Sequence, residues 1–189
     1  MFRWENDMEL IEKCIGESNV YKGRLLDVRC DTVALPNGHT STREYIRHVG
    51  AVAIVALTND GKIVMERQFR YPMGKVVYEI PAGKLDSKSE DPLCAAKREL
   101  EEETGLVAND WRYLGEFYPS SAYTDEVVRL FLATDMKEGT VHLDEDEFVE
   151  AETVELDEIA KLIVDGKIPD AKTQAAVMRV VYMKEHGLL

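Results

Sequence analysis

Residues 83–106, GKLDSKSEDPLCAAKRELEEETGL, hold one short helix whose two ends are both written in the sequence. Asp91 is a good N-cap, and Pro92 suits the first helical position because the N–H it lacks is one that a helix start leaves unpaired anyway. Gly105 suits the left-handed residue that stops a helix, so the helix is predicted to end near Thr104. The chain before it has the pattern of strands: YKGRLLDVRCDTVAL, a Pro36-Asn37-Gly38 turn and HTSTREYIRH suggest a hairpin or meander. AVAIVAL (51–57) is a β-branched run suited to a buried strand, and with Asn59-Asp60-Gly61 and KIVMERQFR it predicts a second hairpin. KVVYEI (75–80) is a further strand that leads into Pro81-Ala82-Gly83. After the helix come strands near WRYLGEFY, VVRLFLAT and FVEAETV, then helices near LDEIAKLIVDG and AKTQAAVMRVVYMKEHG. One helix between strands and two at the end make a mixed α/β order, without internal repeats or a second large domain.

A chain of 189 residues with 45% hydrophobic content can bury a sizeable core in one domain, with the first fifty residues as a thin accessory sheet. The formal charge of −13 opposes non-specific binding to nucleic acid or an anionic membrane, both of which need basic patches. A small anionic substrate held by a metal and a few arginines stays compatible with it. Cys14, Cys30 and Cys94 are odd in number and lack metal-ligand spacing, which fits thiols in a reducing compartment. MFRWENDMELIEKC has no apolar signal core, and no stretch approaches a membrane span, so the expected location is cytoplasmic.

At 3.6 residues per turn, Glu99, Glu102 and Glu103 fall within an arc of roughly 100°, beside the apolar stripe of Leu93, Ala96 and Leu100. Glu101 points away. Glu99 and Glu103 repel by a few tenths of a kcal/mol in a surface helix, and by more when desolvated. Arg98 can reach Glu102 along the helix but offsets the charge only in part. Hard oxygen ligands with clustered charge suit Mg²⁺ or Mn²⁺, with substrate phosphate completing the shell. The plainer reading of such a cluster is a solvated acidic face.

The residues around it decide between the two. Gly83, Glu90, Arg98-Glu99-Leu100, Glu102-Glu103 and Gly105-Leu106 resemble the signature of the Nudix hydrolases, with seven residues between Glu90 and Arg98 and one extra residue between Gly83 and Glu90. The insertion falls in KLDSKS, a turn that can absorb it. The resemblance implies an α/β/α sandwich around a mixed β-sheet, with a small N-terminal antiparallel β-sheet subdomain. It places a β-rich dimerisation subdomain at 1–48 and the hydrolase domain at 49–189. It further implies hydrolysis of a nucleoside diphosphate linked to another group. Glu99, Glu102, Glu103 and the Ala82 carbonyl would then hold Mg²⁺, with Mn²⁺ as the alternative, while Gly83, Glu90, Arg98 and Gly105 brace the loop and helix.

From about Val20 onward the chain resembles the ADP-ribose pyrophosphatase branch, carried by LPNGHTSTRE, HVGAVAIVAL, ERQFRYPMGKVVYEIPAGKLD, YTDEVVRLFLAT and LDEDEFVE. The branch implies a homodimer with a swapped N-terminal sheet, in which Arg43 and Glu44 come from the partner subunit and Arg70 lies near the diphosphate. Asp125 and Glu126 match the branch's Asp-Glu pair and join the substrate-binding set. In the acidic loop Glu145 becomes the first candidate to position or deprotonate water, with Glu147 as its neighbour and Glu102 as a third catalytic candidate. The branch usually carries Ser-Pro-Gly where this chain reads Ser121-Ala122 in YPSSAYTDE, which leaves other nucleoside diphosphate sugars such as GDP-mannose open as substrates. A non-catalytic ADP-ribose sensor would be expected to lose box glutamates and carry a DNA-binding appendage, and this sequence does neither. A third alternative is an acidic interaction or metal-buffering protein. Trp4, Trp111, Tyr118 and Tyr123 could stack on a base, although aromatics in such a domain usually pack in the core. His39, His48, His142 and His186 show no ligand pairing.

Overall fold

Two compact units make up the chain, one of residues up to His48 together with Ser120–Glu126, the other of Val49–Pro119 and Val127–Leu189. The computed structural model describes residues 10–143 and 148–189.

The first unit is an antiparallel sheet of β1 (Lys13–Gly16), β2 (Asn19–Lys22), β3 (Asp27–Ala34) and β4 (Thr40–Ile46). β3 is its spine: β4 pairs along nearly all of it, while β1 and β2 pair with its C-terminal and N-terminal parts. Asp31, 7% exposed, accepts hydrogen bonds from the Ser18 amide at 3.2 Å and the Tyr45 hydroxyl at 2.9 Å, which satisfies its charge inside a thin sheet. Segment 120–126 joins this unit through backbone bonds of Ile46 with Tyr123 and Asp125. That contact carries the Asp125 carboxylate to the His48 amide, and Glu126 lies 3.8 Å from the His48 Nδ1.

In the second unit β5 (Ala51–Ala56) sits inside a mixed sheet of order β8-β5-β10-β9, where β8 is Ala82–Lys84, β9 Leu106–Phe117 and β10 Val128–Glu138. β10 runs parallel to β5, and the other pairings are antiparallel. Every residue of β5 is buried because both faces are covered. Ala51, Ala53 and Val55 pack with Leu156 and Ile159 of α2 (Leu156–Val164) and Ala176, Val177 and Val180 of α3 (Ala171–Glu185). Val52, Ile54 and Ala56 pack with Ala95, Ala96 and Leu100 of α1 (Pro92–Thr104). The alternation of one strand thus builds both layers of an α/β/α sandwich. Each fully buried Val, Leu or Ile side chain contributes about 1.5–3 kcal/mol to that packing, and each alanine less.

The hairpin expected between AVAIVAL and KIVMERQFR does not form. After the single bridge Leu57–Ile63 the strands part: β6 (Lys62–Arg70) joins β7 (Lys75–Glu79) and β11 (Val149–Glu155) in a separate antiparallel sheet. β8 and β10 already take both edges of β5, so the turn at 59–61 redirects the chain instead of folding it back on itself. β1 and β8 are further strands without a sequence expectation. The helix over 92–104 forms as predicted. Asp91 accepts from the Leu93 and Cys94 amides at 3.0 Å, and Gly105 ends the helix at φ 69° while donating to the Glu101 carbonyl at 2.8 Å. Among the described residues no helix is long and apolar enough to cross a membrane.

Candidate active site

The acidic helix meets the sheet at β8. A Cβ on Gly83 would lie 1.9 Å from the Glu99 Cδ, so the Glu99 carboxylate occupies the space that any other residue at 83 would fill. One turn on, Glu103 is 7% exposed and accepts a hydrogen bond from the Ala82 amide at 3.1 Å. Glycine and the paired amide let two carboxylates of α1 rest against one short strand.

Arg98 ties the box together. Its Nη1 donates to Glu99 at 2.9 Å and to Glu102 at 3.0 Å, and its Nη2 donates to the Lys84 carbonyl at 3.2 Å. Nη2 also lies 3.6 Å from Glu90, whose other oxygen accepts from the Asp86 amide. Burial works against the guanidinium charge, yet Glu99 and Glu102 outweigh it and hold Arg98 protonated above its ordinary range. The loop with the extra residue is thereby fastened to α1 at its start, at Glu90 and through Arg98.

Beneath Glu103 lies a charged cluster that the sequence did not announce. Glu66 of β6 stands opposite Glu79 of β7 in the ladder, and they are 3% and 2% exposed. Glu66 shares a hydrogen bond with Glu103, and its carboxyl is pushed up to about 8, first by burial and then by the nearby Glu79 charge. Its Oε1 is buried with no hydrogen-bond partner among the described residues. Glu79 is neutralised by Arg70 Nε, which donates at 2.8 Å, and by Lys172 of α3. The only signals for Glu66 and Glu79 were single acids within the apolar strand runs IVME and VVYEI, and nothing marked Lys172.

Ala82, Gly83, Glu90, Arg98, Glu99, Glu102, Glu103, Gly105 and Arg70 all belong to the second unit. Arg43, Glu44, Asp125 and Glu126 belong to the first, where Arg43 is held by Glu12, the Thr42 carbonyl and the Ser41 hydroxyl. Glu145 and Glu147 lie outside the described residues. Trp111 donates to the Ala108 carbonyl and packs edge-on against Phe131, a core role. Among the described residues no three acidic, histidine or cysteine side chains converge on one point, and Arg98 Nη1 stands between Glu99 and Glu102. The donor set still suits a hard divalent ion: it consists of carboxylates and a carbonyl, its Glu99 rests in the Gly83 cradle, and next to its Glu103 lies a buried Glu66 oxygen without a hydrogen-bond partner among the described residues.

Residues 47–177 match the NUDIX domain. The chain belongs to the Nudix family. Nudix hydrolases generally depend on a divalent metal ion, in keeping with this donor set. Ahead of the Nudix domain, residues 12–46 match the nucleoside diphosphate sugar hydrolase N-terminal domain. The chain is 45% identical over 170 residues to the ADP-ribose pyrophosphatase of Bacillus subtilis (strain 168), covering 89% of this chain and 91% of the relative. It is 46% identical over 168 residues to a methanol dehydrogenase activator of Bacillus methanolicus, covering 88% and 90%. The solved structure titled "Crystal structure of ADP compounds hydrolase" superposes with a TM-score of 0.80 at 22% identity, covering 94% of this chain and 97% of that one. At that identity the likeness is one of fold, and it carries the Nudix sandwich.

Proposed function

We propose that this Nudix hydrolase cleaves the diphosphate bond of ADP-ribose to AMP and ribose 5-phosphate in a Mg²⁺-dependent reaction, with Mn²⁺ able to substitute. The observation that carries the reading is the seating of Glu99 in the Gly83 cradle and of Glu103 on the Ala82 amide. The 45% identity to an enzyme of that name supports the substrate. Glu99, Glu102, Glu103 and the Ala82 carbonyl would hold the metal, which when bound supplies charge neutralisation of the diphosphate and activation of water. Arg98 and Glu90 keep the carboxylate helix aligned with the loop. Arg70 holds the diphosphate by charge-assisted hydrogen bonds. Glu145 orients the attacking water, with Glu147 beside it.

Arg43 and Glu44, with Asp125 and Glu126, complete substrate binding in a homodimer whose N-terminal sheets are exchanged between subunits. The first unit is thin and carries exposed Leu10, Ile11, Ile15, Val20 and Leu25, which supports its burial against a second copy. The acidic chain acts on a small molecule in the cytoplasm.

The test is product analysis over a panel of ADP-ribose, GDP-mannose and other nucleoside diphosphate sugars with Mg²⁺ present. AMP and ribose 5-phosphate formed with the highest kcat/KM from ADP-ribose is the expected result. A preference for GDP-mannose overturns the substrate, and tight ADP-ribose binding with no turnover overturns the catalytic reading in favour of a sensor.

A further inference from the structure

Arg70, the last residue of β6, spends only one of its nitrogens inside the protein. Its Nε donates to Glu79 Oε1 at 2.8 Å, and among the described residues neither terminal nitrogen makes a hydrogen bond, although the charges of Glu103 and Asp170 act on the guanidinium. Its side chain is 41% exposed, whereas that of Glu79 is 3% exposed. A guanidinium pinned at Nε keeps its two terminal N–H groups side by side and open, the fork that matches two oxygens of a phosphate. The pin matters because an arginine left loose must give up many rotamers when it binds.

The pin itself is held from the other side. Glu79 Oε2 accepts from Lys172 Nζ, so the two oxygens of one buried carboxylate are taken by two cations from different elements. Lys172, whose side chain is 16% exposed, also lies 3.2 Å from Asp170, the N-cap of α3. The next residue, Thr173, is fully buried; its hydroxyl donates to Asp170 at 2.6 Å and accepts from the Ile80 amide at 3.0 Å. The first turn of α3 therefore grips Glu79 and Ile80, two consecutive residues just ahead of Ala82.

We propose that Lys172 and Glu79 are positioning residues for substrate binding, with Lys172 fixing the Glu79 carboxylate so that Glu79 holds the Arg70 fork ready for a diphosphate. The inference rests on the reading that Arg70 contacts the substrate's diphosphate. Without the Lys172 charge the Glu79 carboxylate turns in its site, and Arg70 loses the geometry fixed at Nε. Because Arg70 grips diphosphate oxygens in ground and transition states alike, the loss falls on KM and leaves kcat nearly intact.

Steady-state kinetics on ADP-ribose would compare Lys172→Met, Lys172→Gln and Lys172→Arg with Arg70→Ala and the Lys172→Met/Arg70→Ala double variant, each checked for folding by circular dichroism. Expected are a rise in KM of at least about 10-fold in Lys172→Met and Lys172→Gln with kcat within about 3-fold. Lys172→Arg should restore KM, since it keeps a cation beside Glu79. The double variant should be little worse than Arg70→Ala alone, because both changes remove one function. An unchanged KM in folded Lys172→Gln, or effects that multiply fully in the double variant, would overturn the positioning role while Arg70→Ala still raises KM. If Arg70→Ala itself leaves KM unchanged, the Arg70 reading falls, and the positioning role falls with it.

Discussion

Gly83 and Glu99 share one space: a Cβ at 83 would come 1.9 Å from the Glu99 Cδ and within 2.1–2.2 Å of both carboxylate oxygens. The obstacle is a side chain, but it is one already tied to Arg98 at 2.9 Å, so it cannot swing aside without breaking that bond. Gly83→Ala should displace Glu99 by an ångström or more and lower kcat by about 10²-fold, with the fold retained. Kinetics beside circular dichroism would check it, and near-wild-type turnover in Gly83→Ala would show that Glu99 is not held in place from this strand.

If the box carboxylates hold the catalytic ion, turnover should vanish in excess EDTA and return with Mg²⁺. Glu102→Gln is the cleaner variant, since the Glu102 side chain is 38% exposed and its removal leaves no buried group orphaned. Its kcat should fall by at least about 10²-fold at unchanged stability. Glu103→Gln should lose both activity and some stability, because Glu103 is buried and caps the Ala82 amide. Thermal melts of the two variants separate these cases.

What the sequence made legible follows from how local the determinants were. The bounds of α1 came from Asp91, Pro92 and Gly105, each acting within a turn of itself, and the structure matches them. The α1 face that carries Glu99 and Glu103 followed from helical period alone. Pairing partners are not local. The run at 51–57 and the one at 62–70 look like a hairpin because they adjoin, yet β5 takes its partners further along the chain, in β8 and β10, while β6 folds back on the next strand, β7, and takes its other edge from the distant β11. Glu66 and Glu79 were illegible because the β6–β7 register, which no single residue announces, brings them opposite each other beneath Glu103.

That buried pair gives a dependence on pH. The Glu66 carboxyl is raised from 4.5 to about 8, first by burial and then by Glu79, so the folded protein binds this proton more tightly than the unfolded chain does. The stability it contributes is fully present below about pH 4.5 and is lost as pH rises through about 8. Glu66→Gln keeps the shape and cannot ionise. In EDTA, the Tm of Glu66→Gln relative to wild type should climb between pH 5 and 8, opening a gap of at least about 5 °C. A gap that stays flat over this range would mean that Glu66 is charged in the fold at neutral pH.

Glu145 falls in the acidic run LDEDEFVE. If it orients the attacking water, Glu145→Gln should cut kcat by about 10²-fold or more and leave KM nearly unchanged, since binding rests on other residues. Full kcat in Glu145→Gln with a loss in Glu147→Gln would move the role by two residues.

An exchange of N-terminal sheets between two subunits would show itself in mixed dimers. Arg43 stands on β4 of the first unit, and Glu102 stands in the box of the second. If Arg43 serves the partner's site, Arg43→Ala and Glu102→Gln should each be nearly inactive as pure dimers. Unfolded together and refolded as an equal mixture, half the dimers should carry one chain of each kind. In such a dimer the chain with the intact box receives an intact Arg43 from its partner, while the other site lacks both. About a quarter of all sites should then work, provided that the two-fold interface is isologous and pairing is random. Native mass spectrometry would establish that the mixed dimers are present. Recovery near a quarter of wild-type activity supports the exchange, whereas an inactive mixture that contains them would mean that Arg43 acts in its own chain's site or in none.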